Sequence, residues 1–251
     1  MAKDTRIDRL FSNLGLMTRS QCKKTVKGGG IAVNGAVCRS EAEKVDPDAD
    51  KVTWDGRPVD SRRFVYYMLN KPAGVITASR DPKSPTVMDL ISDTRTDLFA
   101  VGRLDKDTTG LLLITNDGQL GHRLLSPRYH VAKTYEAGIS GVLTEDDIAA
   151  LEAGVDIGDD SPTLPAKVTP LNAGGPHPSG NDASGAAQKV LLTITEGRYH
   201  QVKRMFEAVG KPVLTLHRSS FGPLELDPAL KPGKYREITE DELKQLKNCA
   251  Q

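Results

Sequence analysis

A polar loop that leads directly into an apolar run is the feature that most constrains this chain, and it begins at Phe99. The loop contains Arg103 and Asp105, and the run Leu111–Ile114 has the length and content of a buried strand. A loop held between an apolar entry and a buried strand is rigid, so a carboxylate on it can be aimed at a ligand. An Asp in such a loop is more often a turn former or cap than a catalyst, and the residues alone leave both interpretations of Asp105 open.

The residues after this run predict a turn followed by a short helix. Asn116 to Gly118 have turn chemistry, and Pro127 ends the helix because proline cannot continue it. Three leucines recur at helical spacing and predict the buried face of this helix: Leu120, Leu124 and Leu125.

Composition places the chain among ordinary globular proteins, since 38% of its residues are hydrophobic and 27% are charged. No apolar run approaches the roughly 18 residues that span a bilayer, and the opening MAKDTRIDRLFSNLG lacks the apolar core of a secretory signal. Cysteine occurs only at Cys22, Cys38 and Cys249, without metal-pair spacing. We therefore expect no membrane span, disulfide framework or structural zinc, and we expect the protein to act in the reducing cytoplasm.

The net charge of +1 conceals a strong asymmetry along the chain. Residues 1–44 carry nine Lys or Arg against four Asp or Glu, whereas residues 141–160 carry seven acids and no base. Such segregation makes one pole attractive to polyanions and leaves another repelled by them. The basic segment is either a nucleic-acid-binding face or an ordinary solvated face, and charge alone favours neither.

The basic segment has the pattern of two short helices and a hairpin. Thr18 and Gln21 fit a capping box that begins the second helix, and Asn34 and Gly35 are typical of a two-residue hairpin. One apolar stripe predicts the first helix: Ile7, Leu10, Phe11 and Leu14. The second helix turns three basic side chains outward on one face: Arg19, Lys23 and Lys27. A structural cap would not need these cations on one face, whereas phosphates would.

A domain boundary near residue 60 is predicted, because residues 45–60 are acidic and rich in turn formers. This boundary divides the chain into domains of residues 1–60 and 61–251. In the second domain, strands are predicted at 64–71, 111–114, 133–140 and 190–194, and helices at 145–153, 198–209 and 239–246. Short strands mixed with helices favour an α+β fold around a mostly antiparallel mixed sheet.

Residues 172–187, NAGGPHPSGNDASGAA, contain almost nothing that could be buried. We expect a mobile surface loop there. Because the segment carries no Lys or Arg, we assign it no role in binding a polyanion.

Four motifs carry a resemblance to a known family. They are LNKPAG from Leu69, GRLDKDTTGLLLIT from Gly102, KTY from Lys133 and EGRYHQVKRMF from Glu196. In this order they resemble the motifs of the pseudouridine synthases, and the whole chain resembles the subfamily that modifies small-subunit ribosomal RNA. The segment of two basic helices and a hairpin resembles the S4 RNA-binding module. The resemblance implies a small S4-like domain followed by a pseudouridine synthase catalytic domain.

The resemblance implies a role for each residue that matches a motif. Asp105 becomes the catalytic carboxylate, and Lys203 becomes its cationic partner at a position where many relatives carry Arg. Arg204 is the competing cation, although its register matches less well. Tyr135 becomes the aromatic ring that stacks on the target base.

The remaining candidate residues are expected to bind the RNA substrate. Arg103 would hold the opened RNA where the base has left, and His200 would contact RNA from basic surroundings. Lys71 either meets a phosphate or supports the active-site loop, and the sequence favours neither. The full set of expected substrate-binding residues is Arg103, Lys71, Arg204, His200, Arg19, Lys23 and Lys27.

The implied reaction breaks the bond between uracil and ribose, turns the base and rejoins it through carbon, without a cofactor. Asp107 also admits a glycosidase-like carboxylate pair with Asp105, but that pair would hydrolyse the bond. The five histidines lack metal-ligand spacing, so we expect no metal site. The expected substrate is uridine 516 of 16S ribosomal RNA within a small-subunit assembly intermediate, and the chain is expected to act as a monomer. The alternatives are the same reaction on 23S ribosomal RNA and a non-catalytic ribosome-assembly factor.

Overall fold

The structure is a computed structural model that describes the backbone of residues 4–175 and 187–251, and the side chains of residues 4–171 and 188–251. It divides into two compact units. The first unit comprises Met1–Val65 and Ile91–Leu98, and the second comprises Tyr66–Leu90 and Phe99–Gln251. One strand ends at Gly175 and the next begins at Ala187, so both ends of the expected loop over 172–187 are strand instead. The rest of that expected loop lies outside the described residues.

In its described residues, the first unit contains two helices and six short strands. Strands β1 and β4 form a two-stranded sheet, and β3, β2, β5 and β6 form a four-stranded antiparallel sheet in that order. The elements are β1 Thr5–Arg6, α1 Ile7–Asn13, α2 Arg19–Lys27, β2 Ile31–Val33, β3 Ala36–Val37, β4 Lys44–Val45, β5 Val52–Trp54 and β6 Arg57–Pro58.

Local sequence signals explain this unit well. Thr18 and Gln21 form the predicted capping box at the start of α2. Asn34 and Gly35 both have positive φ in the turn between β2 and β3, so the predicted hairpin is confirmed. The apolar stripe of α1 packs with the buried residues of α2 and the sheet in one core.

The second unit contains four helices and nine strands in the described part of the chain. The elements are β7 Tyr66–Lys71, β8 Phe99–Val101, β9 Thr109–Thr115, α3 Gly118–Leu125, β10 Lys133–Ser140, α4 Glu145–Ala153, β11 Lys167–Gly175, β12 Ala187–Ile194, α5 Gln201–Ala208, β13 Val213–Phe221, β14 Leu224–Glu225, β15 Tyr235–Glu237 and α6 Glu240–Asn248. Short 3-10 turns occur at Val87–Leu90 and Pro127–Tyr129.

All nine strands join one sheet. The order along the sheet is β11, β12, β10, β13, β9, β7 and β15, with β14 on β13 and β8 on β9. Every pair is antiparallel except β13 with β9, which is parallel. The predicted α+β fold with a mostly antiparallel mixed sheet is therefore confirmed, and the central position of β9 explains the apolar run Leu111–Ile114, which is fully buried.

Three details of the helices differ from the sequence-based expectation. Leu125 is 45% exposed, because it follows Leu124 by one helical step of about 100° and leaves the buried face of α3. Val209 is only half-buried, because it caps α5 instead of lying within it. Helix α6 continues beyond Leu246 to Asn248. Within the described residues, no helix is both long and apolar enough to cross a membrane.

Candidate active site

The loop between β8 and β9 carries Asp105 and is held from both sides. Leu104 is buried, and its amide and carbonyl both pair with the hydroxyl group of Thr77, at 3.1 and 2.7 Å. The amide of Gly74 donates to the carbonyl oxygen of Lys106 at 2.8 Å. The amide of Thr108 donates to the carbonyl oxygen of Asp105 at 3.2 Å. The loop is therefore fixed by backbone contacts on each side of its carboxylate.

Lys71 is the main support of this loop. Its side chain is fully buried at the end of β7, and Nζ donates to the carbonyl oxygens of Thr108 at 2.8 Å, Asp105 at 2.9 Å and Pro72 at 3.1 Å. A fourth carbonyl, that of Lys106, lies 3.4 Å away. Burial lowers the pKa of the Lys71 ammonium to about 8. The structure corrects the assignment of Lys71 to substrate binding, because its donors face these carbonyls and no surface remains for a phosphate.

The carboxylate of Asp105 contacts two basic side chains. Lys203 Nζ lies 3.2 Å from Oδ2, and His200 Nε2 lies 3.3 Å from Oδ1. The Asp105 side chain is 28% exposed, so a substrate can approach it while the loop holds its backbone. Each carboxylate oxygen therefore has one partner of its own.

Helix α5 brings both partners to Asp105. Its inner face buries Val202 and Phe206, whereas Lys203 projects from the other side. His200 is the N-cap residue of α5, with a left-handed backbone, and it lies three positions before Lys203. The start of one short helix thus supplies a partner to each oxygen of the same carboxylate.

Lys203 is shared between two carboxylates. Its Nζ donates to both oxygens of Asp107, at 2.7 and 2.9 Å, in addition to its contact with Asp105. Burial alone would lower the pKa of the Lys203 ammonium, but the hydrogen bonds to Asp107 and Asp105 outweigh it and raise the pKa. The hydrogen bond from Lys203 lowers the pKa of Asp107. The ammonium is thus kept charged and aimed between the two carboxylates.

Replacing Lys203 with Met should lower kcat about 100-fold, because Asp105 loses the ammonium that orients it. Asp107→Asn should have a far smaller effect, since Asp107 is 73% exposed and an exposed pair of this kind contributes only about 0.2–1 kcal/mol. Steady-state kinetics at saturating substrate measure both effects.

Lys189→Met is the matched control for this comparison. Lys189 also pairs with a carboxylate, that of Glu136 at 2.7 Å, but it is 65% exposed and lies on β12. We expect its kcat to remain at the wild-type value. An equal decrease of kcat in the Lys203→Met and Lys189→Met variants would contradict a specific role for Lys203.

The strand register places Tyr135 in the same region of the sheet. Tyr135 on β10 lies opposite Arg218 on β13, and Arg218 lies opposite Gly110 on β9. Gly110 follows Asp105 by five residues. The Tyr135 ring is buried, with 8% exposure.

The two candidate arginines of the motifs, Arg103 and Arg204, differ in their surroundings. Arg103 is exposed and forms no ion pair with a described residue. Arg204 donates to the carbonyl oxygens of Ile157 and Tyr199, both at 3.0 Å, and pairs with Asp159. Of the two candidate cations, Lys203 therefore contacts Asp105 and Arg204 is held by another loop.

Three candidate basic residues of the first unit lie on one exposed helical face. Arg19, Lys23 and Lys27 follow each other at intervals of four along α2, and all three are exposed. Lys23 approaches Glu41 at 3.5 Å. Within the described side chains, no three His, Cys, Asp or Glu gather where they could hold a metal ion.

Sequence reasoning missed the residue Tyr199 and the contact that Asp107 makes with Lys203. Tyr199 precedes His200 within the EGRYHQVKRMF motif, and its ring stacks on the His200 ring. Asp107 was considered only as a partner of Asp105, whereas it binds Lys203. The position of Tyr199 inside a motif was an available signal, but the stack depends on a left-handed backbone at His200, which no sequence pattern indicates.

This arrangement suits a reaction that requires one carboxylate fixed beside a bound ligand. Asp105 is anchored through its backbone, oriented by an ammonium and an imidazole, and still open to solvent on part of its surface. A carboxylate in these surroundings can act as a nucleophile or as a general base.

Comparisons with known proteins assign both parts of the chain. The family model described as RNA pseudouridylate synthase matches residues 65–208, and the S4 domain model matches residues 5–52. A crystal structure of a pseudouridylate synthase superposes with a TM-score of 0.65 and 36% identity, covering 97% of this chain and 100% of that chain.

Three relatives are similar over almost their whole length. An uncharacterised RNA pseudouridine synthase of Bacillus subtilis, YtzG, is 48% identical over 95% of this chain and 96% of its own. Ribosomal small subunit pseudouridine synthase A of Vibrio parahaemolyticus is 39% identical, covering 95% and 97%. The Escherichia coli K12 protein of that name is 37% identical, covering 95% and 98%. With its S4 domain and this catalytic unit, the chain belongs to the RNA pseudouridine synthase family, the isomerases that convert uridine in RNA to pseudouridine.

Proposed function

We propose that this enzyme isomerises one uridine of small-subunit ribosomal RNA, uridine 516 of 16S ribosomal RNA, in the cytoplasm. The observation that carries the chemistry is the anchored Asp105 carboxylate with Lys203 at 3.2 Å. Support for the choice of RNA comes from the two relatives named ribosomal small subunit pseudouridine synthase A and from the likeness over 95% of the chain.

The proposed reaction rearranges bonds without adding or removing atoms. The bond between C1′ of ribose and N1 of uracil breaks, and a bond between C1′ and C5 forms. C5 loses one proton and N1 gains one, so the product has the composition of the substrate. Asp105 is the group that assists this exchange, and Lys203 orients it. No oxidant or reductant is needed, and we propose that the reaction runs without a cofactor.

The uracil must be held while it is detached from the sugar. We propose that Tyr135 is the platform on which the uracil stacks, because base stacking on an aromatic ring contributes about 1–3 kcal/mol. Arg103 would hold the opened RNA at the place that the uracil has left, since it is an exposed cation two residues from Asp105. His200 would contact the substrate beside Asp105. Arg204 would act on the RNA only through the loop that it holds.

The S4 domain, residues 1–60 in our proposal, would bind the phosphates of the RNA through Arg19, Lys23 and Lys27. Replacing all three with Gln should weaken RNA binding. The plot of log association constant against log salt concentration should become less steep by about 2–3, because each phosphate contact contributes about 0.7–0.9 to its steepness. The three side chains are exposed, so the thermal unfolding midpoint should stay near that of the wild type. Filter binding at several salt concentrations measures the slope.

The matched control removes the same charge elsewhere in this unit. Lys51, Arg57 and Arg62 are also exposed, and their joint replacement with Gln should leave the salt slope nearer the wild-type value. Equal slopes for the two triple variants would show that only net charge matters. An unchanged slope in the α2 variant would remove the basic face from RNA binding.

The substrate we propose is folded RNA in a small-subunit assembly intermediate, bound by a single copy of the chain. A pseudouridine-specific chemical probe, applied to ribosomal RNA from cells that lack the gene, tests the whole proposal. We expect one pseudouridine to disappear from 16S ribosomal RNA and to return with the wild-type gene but not with the Asp105→Asn gene.

Each other outcome of this experiment contradicts a stated part of the proposal. Loss of a pseudouridine from 23S ribosomal RNA would reassign the substrate to the large subunit. An unchanged pseudouridine map combined with an assembly defect would show a binding factor without catalysis. Restoration by the Asp105→Asn gene would remove Asp105 from the mechanism.

A further inference from the structure

Tyr199 is the most exposed of the large apolar side chains that the structure describes. Its exposure is 76%, against 58% for Val37 and less for the others. An aromatic ring contributes to folding mainly when it is buried, so this position gives little stability to the enzyme. The ring therefore stands at the surface of the second unit with most of its area available to a ligand.

One face of the Tyr199 ring is already occupied by a neighbour. The ring stacks on the imidazole of His200, with centroids 3.8 Å apart and an interplanar angle of 19°. A flat ring has two faces, and His200 covers one of them. The high exposure of Tyr199 means that the opposite face is open. Tyr199 is thus the outer member of a short aromatic stack to which another planar group can be added.

The backbone around this stack is held in place. The carbonyl oxygen of Tyr199 accepts a hydrogen bond from Arg204 at 3.0 Å, and Arg198 donates to the carbonyl oxygen of Ser161 at 2.6 Å. His200 has φ 48° and ψ 32°, a left-handed conformation that non-glycine residues adopt only where their surroundings impose it. The orientation of the two rings is therefore set before a ligand binds.

The stack also lies beside the candidate catalytic group. His200 Nε2 is 3.3 Å from Asp105 Oδ1, so the imidazole ring that stacks on Tyr199 also contacts the candidate catalytic carboxylate. A uridine held at Asp105 would bring the next base of its strand to the open face of Tyr199.

We propose that Tyr199 is a stacking platform for the base of an unpaired nucleotide next to the target uridine. This inference rests on the proposed function, because it takes Asp105 as the place where the uridine reacts. Swinging a uridine out of folded RNA leaves its neighbours unstacked, and an exposed ring restores a partner to one of them. The platform would accept any base, because every base has a flat face.

Kinetics of Tyr199 variants test the platform on a 16S ribosomal RNA fragment that contains uridine 516. Tyr199→Ala should raise KM about 5- to 150-fold, the equivalent of one lost base stack. The kcat at saturating RNA should stay within about twofold, because the reacting groups are intact. Tyr199→Phe should keep the wild-type KM. The salt dependence should be unchanged, because no charge is removed.

A fluorescent base gives a direct readout of the stack. The base 2-aminopurine loses emission when it stacks, and it can replace the nucleotide on the 5′ or the 3′ side of the target uridine. Rapid mixing, read before turnover, should show greater quenching with the wild type and Tyr199→Phe than with Tyr199→Ala at one of these positions. Equal quenching by all three enzymes at both positions would overturn the proposal.

Several further outcomes distinguish the platform from other roles of Tyr199. A loss of kcat at unchanged KM in Tyr199→Ala would overturn it, because Tyr199 would then act through His200 on Asp105. Val142→Ala is the matched control, since Val142 is another exposed apolar residue of the second unit, and its KM and quenching should match the wild type. If the wild-type enzyme forms no pseudouridine in this RNA, the proposed substrate fails. If the wild type is active and Tyr199→Ala has the wild-type KM and quenching, the platform is contradicted while the proposed substrate stands.

Discussion

Replacing Asp105 with Asn is expected to lower kcat by at least about 1,000-fold, while the affinity for RNA stays within about threefold of the wild type. Asn has almost the same shape as Asp and keeps an oxygen for Lys203 or His200, so the loop should remain in place. It lacks the negative charge that a nucleophile or a general base needs. The variant would therefore bind the substrate and fail to convert it.

Release of tritium measures this loss directly. C5 of uracil exchanges its hydrogen for a bond to ribose, so RNA labelled with tritium at C5 releases it to water as pseudouridine forms. Asp241→Asn is the matched control, because Asp241 is an exposed acid in the first turn of α6. Its kcat should equal that of the wild type. Turnover by Asp105→Asn at more than about a tenth of the wild-type rate would exclude Asp105 as the essential group.

Replacing Lys71 with Met is expected to destabilise the second unit by about 2–5 kcal/mol and to abolish most activity. Met fills a similar volume but donates no hydrogen bond, so the carbonyl oxygens of Pro72, Asp105 and Thr108 lose a buried donor. Each buried acceptor left without a donor costs about 1–3 kcal/mol. The loop should loosen, and the carboxylate of Asp105 should lose its fixed position relative to Lys203.

Urea denaturation and amide hydrogen exchange distinguish this loosening from general damage. The amides of Thr108 and Gly74, which are bonded within the loop region, should exchange faster in Lys71→Met. Lys231→Met removes the same atoms from an exposed position, and both measurements should stay at wild-type values. Unchanged exchange at Thr108 combined with full activity would show that Lys71 does not support the loop.

Local sequence signals predicted many of the elements of this fold. The predicted capping box at Thr18 begins α2, because it is complete within four residues. Strand β10 spans Lys133–Ser140 as predicted, since Thr134, Tyr135 and Ile139 are residue types that favour strands. The order of the nine strands has no such local cause, because it depends on which distant segments bury one another's apolar faces.

In the candidate site, too, local motifs could be recognised from sequence, whereas their proximity could not. The motif around Asp105 and the motif around Lys203 were recognisable, but they lie about a hundred residues apart, and only the fold brings the two side chains to 3.2 Å. Sequence left Lys71 undecided between a phosphate and the loop. Its burial decides this question, because an ammonium enclosed by carbonyl oxygens has no donor left for the substrate.

The sequence by itself determined the family resemblance, the α+β class, the positions of the helices and of several strands, and the identity of the candidate catalytic Asp105. These properties depend on residue types and on spacings of a few positions. Only the tertiary structure decided that segment Ile91–Leu98 joins the first unit, that Arg204 turns away from Asp105 and that Tyr199 caps an aromatic stack. The physical reason is that burial, ion pairing and ring stacking depend on distances between residues that are set by the whole fold.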